Sequence, residues 1–149
     1  VHYYYDTKED LLAAFLDYLL DRFVDSIREV ETTDPEERLE LLLDELLVAP
    51  QENAALSVAL LEMRGQAPHK AAFEDRFRQN DDYIRYMLKA VINHGIDEGV
   101  FRDVDADHVT RSLMTIVDGA RTRSVVLDDV GELETARETA REYVDATVR

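Results

Sequence analysis

The sequence predicts an all-α protein of six helices, and three observations predict it. Apolar residues recur at helical spacing along almost the whole chain. Only 5 Gly and 3 Pro occur in 149 residues, and most of them fall where that spacing breaks. No run alternates apolar and polar residues in the way a half-buried strand requires. A chain of this length can bury roughly 68 to 70% of its unfolded surface, enough for one core.

The first helix is announced by Thr7, whose hydroxyl can cap it, with Asp10 three residues on. Leu12, Phe15, Leu16, Leu19, Phe23, Ile27 and Val30 form its stripe, and Leu11, Tyr18, Leu20 and Val24 widen it, so this helix is expected to meet neighbours on two sides. Thr32-Thr33-Asp34-Pro35 interrupts the pattern, and Pro35 after Asp34 marks a restart. Leu39, Leu42, Leu43, Leu46 and Leu47 make the second helix amphipathic, and Pro50 is expected to end it.

A third helix, rich in Ala and Leu and expected to be buried, runs from about Gln51 to Arg64, before the break at Gly65 to Pro68. The fourth spans about His69 to Glu98, with Phe73, Phe77, Ile84, Met87, Leu88 and Val91 inward and Gly99 as its stop. Val100 and Phe101 are expected to fold back on the core, and Asp105 to cap a fifth helix reaching about Leu127. The sixth runs from about Glu132 to Val148.

The last two helices carry seams repeating at three then four residues, the interval that lets helices lie side by side. Ser112, Thr115, Gly119, Thr122 and Val126 form a small-residue stripe, separate from the apolar stripe of Val109, Leu113, Ile116, Val117 and Ala120. Leu133, Ala136, Ala140, Tyr143 and Thr147 offer the same interval on the sixth helix. Two copies of the chain facing each other there would close a four-helix bundle, giving a homodimer; the alternative is that both seams pack within one chain.

Charge narrows the function. The formal net charge of -16 repels a nucleic-acid backbone and an anionic membrane surface, so these residues alone are poor DNA binders. Lysine occurs only at positions 8, 70 and 89; this acidic, arginine-based balance resembles proteins of halophiles, and equally fits a domain kept soluble by its charge. No apolar stretch approaches the roughly 20 residues of a membrane span, so no membrane partner is expected, and the absence of cysteine fits the cytoplasm.

Enzyme chemistry finds little footing. Phosphate-binding Gly loops, HExxH and G-x-S-x-G motifs are missing, and His2, His69, His94 and His108 lie at spacings that suit no shared metal. No catalytic residue, metal or cofactor is assigned, and His108 is read as a solvated first-turn residue.

Polar side chains inside apolar stripes are the candidates for a ligand cavity. Asn80 falls between Phe77 and Met87 on the inward face of the fourth helix, where it bonds either a ligand or a neighbouring helix. Glu62 shares a face with Ala55 and Val58, placing it either toward a cationic ligand or in solvent. Tyr18, Leu60, Met63, Phe77 and Met87 are candidate walls, although such stripes also occur as plain core.

Two motifs carry a family resemblance. The opening His2-Tyr3-Tyr4-Tyr5-Asp6-Thr7-Lys8-Glu9-Asp10-Leu11-Leu12 resembles the segment of TetR-family regulators that ends the recognition helix and opens the fourth helix. Ile96-Asp97-Glu98-Gly99-Val100-Phe101-Arg102, followed by Asp105 and by Asp118-Gly119, resembles that family's junction between its seventh and eighth helices.

The resemblance covers the whole chain and implies a TetR-like C-terminal domain in residues 8–149, with residues 1–7 as the tail of a helix-turn-helix domain otherwise missing. It further implies a homodimer formed by the last two helices, a cavity for a small-molecule effector, and operator DNA as partner of the missing domain. Tyr3, Tyr4 and Lys8 would then approach DNA phosphates, while Tyr5 packs against the preceding helices. The expected function is that of a ligand-responsive regulator, a repressor released from its operator by the effector. The alternative is a stand-alone helical dimerisation module that binds no DNA.

Overall fold

The computed structural model describes residues 7–29, 32–52 and 54–149, and the side chains at 27 and 48–52 lie outside that description. Six α-helices follow in order: α1 Lys8–Arg28, α2 Pro35–Glu52, α3 Ala54–Gln66, α4 Ala71–Asp97, α5 Ala106–Val126 and α6 Gly131–Thr147. One 3-10 turn, Ala67–His69, links α3 to α4. Tyr3, Tyr4, Tyr5 and Val30 and the side chain of Ile27 fall outside the described residues.

The capping residues do what their chemistry predicts. Thr7 Oγ1 accepts from the Asp10 amide at 3.1 Å, and Asp34 Oδ1 accepts from the Glu36 amide at 3.1 Å. Asp105 Oδ1 accepts from the amides of Asp107 and His108 at 3.1 and 3.3 Å, opening α5. His108 itself stays exposed. At the end of α4, Gly99 takes φ +77°, a left-handed conformation that suits glycine.

Two predicted features are corrected. Helix α2 continues through Pro50 to Glu52 instead of stopping there. A proline in the last turn costs one backbone donor, and one such loss does not outweigh the packing of a long leucine face. Helix α3 is not a buried element: Met63 is its one buried residue among those described, while Ala54, Ala55 and Val58 are exposed. It lies at the edge of the bundle, so most of its surface has no helix to meet.

The core forms in two clusters. The larger joins α2, α4, α5 and α6, and six of its members, Leu39, Leu42, Leu47, Leu88, Ile92 and Leu113, are within 1% of complete burial. The smaller joins α1, α3 and the start of α4 through Ala13, Leu16, Met63 and Phe73. Helix α4, at 27 residues the longest, belongs to both. Phe101 turns back into the larger cluster as expected, whereas Val100 stays exposed, because the two side chains leave a tight turn on opposite sides.

Helices α5 and α6 form a hairpin across residues 127–130, spanned by a paired contact from Arg123 to Glu132 at 3.1 and 3.2 Å. Arg137 to Asp44 at 2.9 Å and Arg149 to Glu40 at 3.1 Å fasten α6 to α2. Fastening of α1 is looser. Beyond the small cluster, its links to α4 and the turn before it are the surface pair Glu9 to Lys70 at 3.2 Å, the half-buried pair Asp17 to Arg76 at 2.7 Å, and a bond from Arg28 to the Tyr83 hydroxyl at 3.0 Å. A surface pair such as Glu9 to Lys70 contributes on the order of 1 kcal/mol or less.

Candidate functional site: a cavity between two cores

Where the two clusters meet, their side chains do not interlock, and a cavity of about 350 Å³ remains. That volume lies within the range of small-molecule sites. From α1 come Leu20 and Phe23, and from α2 comes Leu46. Leu60 and Arg64 of α3 and Ala67 of the following turn close a second side. The long helix α4 contributes Glu74, Phe77, Arg78, Asn80, Asp81 and Ile84, and α5 contributes Met114, Val117, Asp118 and Arg121. Five helices therefore reach one volume, so its shape depends on how α1 sits against the other four.

Nine of the sixteen lining residues are apolar, and the other seven are Asn80 and six charged side chains. Burial pushes the Asp118 carboxyl above the ordinary carboxylate range, while Arg64 and Arg121 pull it back down. The Arg64 guanidinium reaches Asp118 at 3.8 Å from across the cavity, joining α3 to α5. Burial likewise lowers Arg121, opposed by the charge of Asp118. The Arg121 guanidinium lies over the Phe23 ring, 5.5 Å from its centroid. Asn80 Oδ1 is buried and meets no hydrogen-bond partner. An amide oxygen left so costs about 1 to 3 kcal/mol, which a bound donor would recover.

Of the residues singled out from sequence, Leu60, Phe77 and Asn80 line this cavity. The others do not. Tyr18 is 54% exposed and accepts a bond from Arg22 at 3.2 Å, because it lies on the outer face of α1. Glu62 is exposed on α3, Met63 is sealed into the small cluster, and Met87 packs on the large one. Arg121, Asp118 and Arg64 escaped sequence reasoning. Asp118 and Arg121 each sit one step off an apolar stripe, where a charge reads as solvated, and periodicity alone does not show that α3 approaches that edge of α5.

Lys8 stands exposed at the start of α1. On α5, Thr115, Gly119, Thr122 and Val126 are exposed and Ser112 is partly so; a methyl group added at Gly119 would meet nothing within 4 Å. The predicted α6 seam is placed differently. Leu133, Ala136 and Ala140 are buried in the chain's own core, with Tyr143 and Thr147 half-buried beside them. These residues repeat at the right interval because they face α5 and α2 of the same chain, and the outer face of α6 carries Thr135, Thr139 and Ala146 instead.

Among the described residues no helix is long and apolar enough to cross a membrane, and no three His, Asp or Glu side chains gather as a metal site would require.

Comparison with known proteins gives this architecture its relatives. Residues 35–149 match the family of BetI-type transcriptional repressors, C-terminal domain. A TetR transcription regulator from Haloarcula marismortui is 80% identical over 99% of this chain and 79% of its own, with a TM-score of 0.97. A structure from Saccharomonospora viridis in complex with choline shares the fold at 22% identity, covering 99% of this chain and 78% of its own, with a TM-score of 0.83. The transcriptional regulator FadR from Bacillus subtilis, in complex with stearoyl-CoA, does so at 19% identity, 93% and 77% coverage and a TM-score of 0.68. No curated protein matches the chain. With a family match over most of its length and a regulator 80% identical over 99% of it, the chain belongs to the TetR family of transcriptional regulators and carries a C-terminal domain of the BetI-type repressors.

Proposed function

We propose that this chain is the effector-binding and dimerisation part of a cytoplasmic repressor that binds operator DNA as a homodimer and releases it when a small molecule fills the cavity. The observation that carries this reading is the position of α1. It lends Leu20 and Phe23 to the cavity wall, while its other end, at Thr7 and Lys8, leads toward the segment that resembles the end of a recognition helix.

An effector that prefers one setting of α1 changes the spacing between two DNA-reading heads; one that binds both settings equally changes nothing. Helix α1 is held by the smaller core and touches the larger one mainly through Phe23, which fits a moving element better than the clamped α6 does. Similar folds hold choline in one case and stearoyl-CoA in another, which supports a cavity adaptable to small molecules without naming the one used here.

For the dimer, the exposed small-residue face of α5 is the proposed contact, joined by the outward face of α6 with Thr135, Thr139 and Ala146. Lys8, with Tyr3 and Tyr4 before it, is proposed to hold phosphates and so to fix register without reading bases. Selection from a random DNA pool by the intact protein, followed by footprinting, tests the reading. A two-fold symmetric site whose half-sites are about one helical turn apart, or a multiple of it, is expected. Recovery of no enriched sequence would instead favour a dimerisation module without DNA binding.

A further inference from the structure

The charges around the cavity do not all find partners. Glu74 is paired with Arg78 at 2.7 Å, Asp81 with Arg85 at 3.0 Å, and Asp118 with Arg64 at 3.8 Å. Each carboxylate on the wall therefore has its own cation. Arg121 is the cation left over: among the described residues no carboxylate oxygen lies within salt-bridge distance of its guanidinium, and Asp118 acts on it only from farther away. A guanidinium carries five donors in a planar fork that matches a carboxylate, and the walls around this one are mostly aliphatic and aromatic.

We infer that the cavity takes an amphiphilic monocarboxylate, its carboxylate seated on Arg121 and its apolar body against Leu20, Phe77 and Ile84. This rests on the reading of the cavity as the effector site and narrows that effector to an anion. The Phe23 face supports the choice of sign. Cation–π capture at the Phe23 face is closed to a ligand, because the chain's own guanidinium already covers that ring at 5.5 Å. Asn80 Oδ1 is an acceptor without a partner, so Asn80 would add a second polar contact to a carboxylate only with its amide turned end for end, its NH2 group toward the cavity.

Three compounds with one tail and different heads test the sign directly: octanoate, octanamide and octylammonium, each titrated against the intact protein with the unfolding midpoint and calorimetric affinity as readouts. Octanoate is expected to raise the midpoint in a concentration-dependent way, and the other two to bind roughly tenfold or more weakly. Arg121→Met should abolish the octanoate shift while leaving the helical circular dichroism unchanged, and Asn80→Leu should weaken it. The ranking of the three heads on the unaltered protein needs no variant and so holds even where a substitution disturbs folding. Octylammonium or choline binding more tightly than octanoate, no octanoate binding, or octanoate binding that survives Arg121→Met, would each overturn the inference.

Operator affinity, measured separately, keeps the two readings apart. A cation that binds the cavity and changes DNA affinity sinks the anion and spares the regulator. Octanoate that binds through Arg121 without changing DNA affinity spares the anion and sinks the coupling.

Discussion

Gly95 lies in the last turn of α4, where a glycine still weakens the helix, and its neighbour explains it. A methyl group built at that position would overlap the Phe101 ring, which folds back across the helix as the chain leaves it. Glycine here makes room for the aromatic that seals the end of the large cluster. Gly95→Ala is expected to lower unfolding free energy by about 1 to 3 kcal/mol through overpacking, despite the gain in helix propensity. Denaturant titration checks this, and an unchanged midpoint would show that Phe101 can move aside freely.

Thr110 makes the opposite case. Its side chain is fully buried on α5, and its Oγ1 has no hydrogen-bond partner. Thr110→Val keeps the shape and removes the stranded hydroxyl, so stability should rise by about 1 kcal/mol in the same titration.

At the scale of the helix, periodicity showed much and missed a definable part. The leucines of α2, the caps of α1 and α5 and the glycine stop of α4 were all legible, because each depends on neighbours within one or two turns. Which helix an apolar face meets was not legible. Leu133, Ala136 and Ala140 have the spacing of a contact between two copies, yet α5 of the same chain covers them. Arg121 and Asp118 look solvated by sequence, and only the packing of neighbouring helices around the cavity desolvates them. Asn80 was found because an amide on an inward stripe is conspicuous wherever its helix packs.

The face of α5 that stays open, around Gly119, is where the dimer is expected. Gly119→Arg has room in one chain and none against a second, so sedimentation should give a dimer for the unaltered protein and a monomer of unchanged helicity for the variant. A variant that remains dimeric would move the interface elsewhere.

For the whole molecule, charge and core pull in opposite directions. Acidic side chains number 33 against 17 basic ones, so many carboxylates face like charges with no cation to spare. Salt weakens both the exposed ion pairs and this repulsion, but each exposed pair is worth little and the excess of 16 negative charges acts together. The unfolding midpoint should therefore climb as potassium chloride is added, and a midpoint that falls with salt would give the ion pairs the larger share.

The same molecule leaves its two cores unjoined at one place, lets α1 reach into the gap, and holds α1 there by the smaller core and a few ion pairs. Linkage between that gap and DNA is the central claim. Fluorescence anisotropy of a labelled operator, titrated with the intact regulator in the absence and presence of saturating octanoate, measures it most directly. The expected result is a loss of operator affinity of roughly tenfold or more, within the usual range of coupling between two sites, and no loss in Arg121→Met. Equal operator affinity with the cavity empty and with octanoate bound would contradict it.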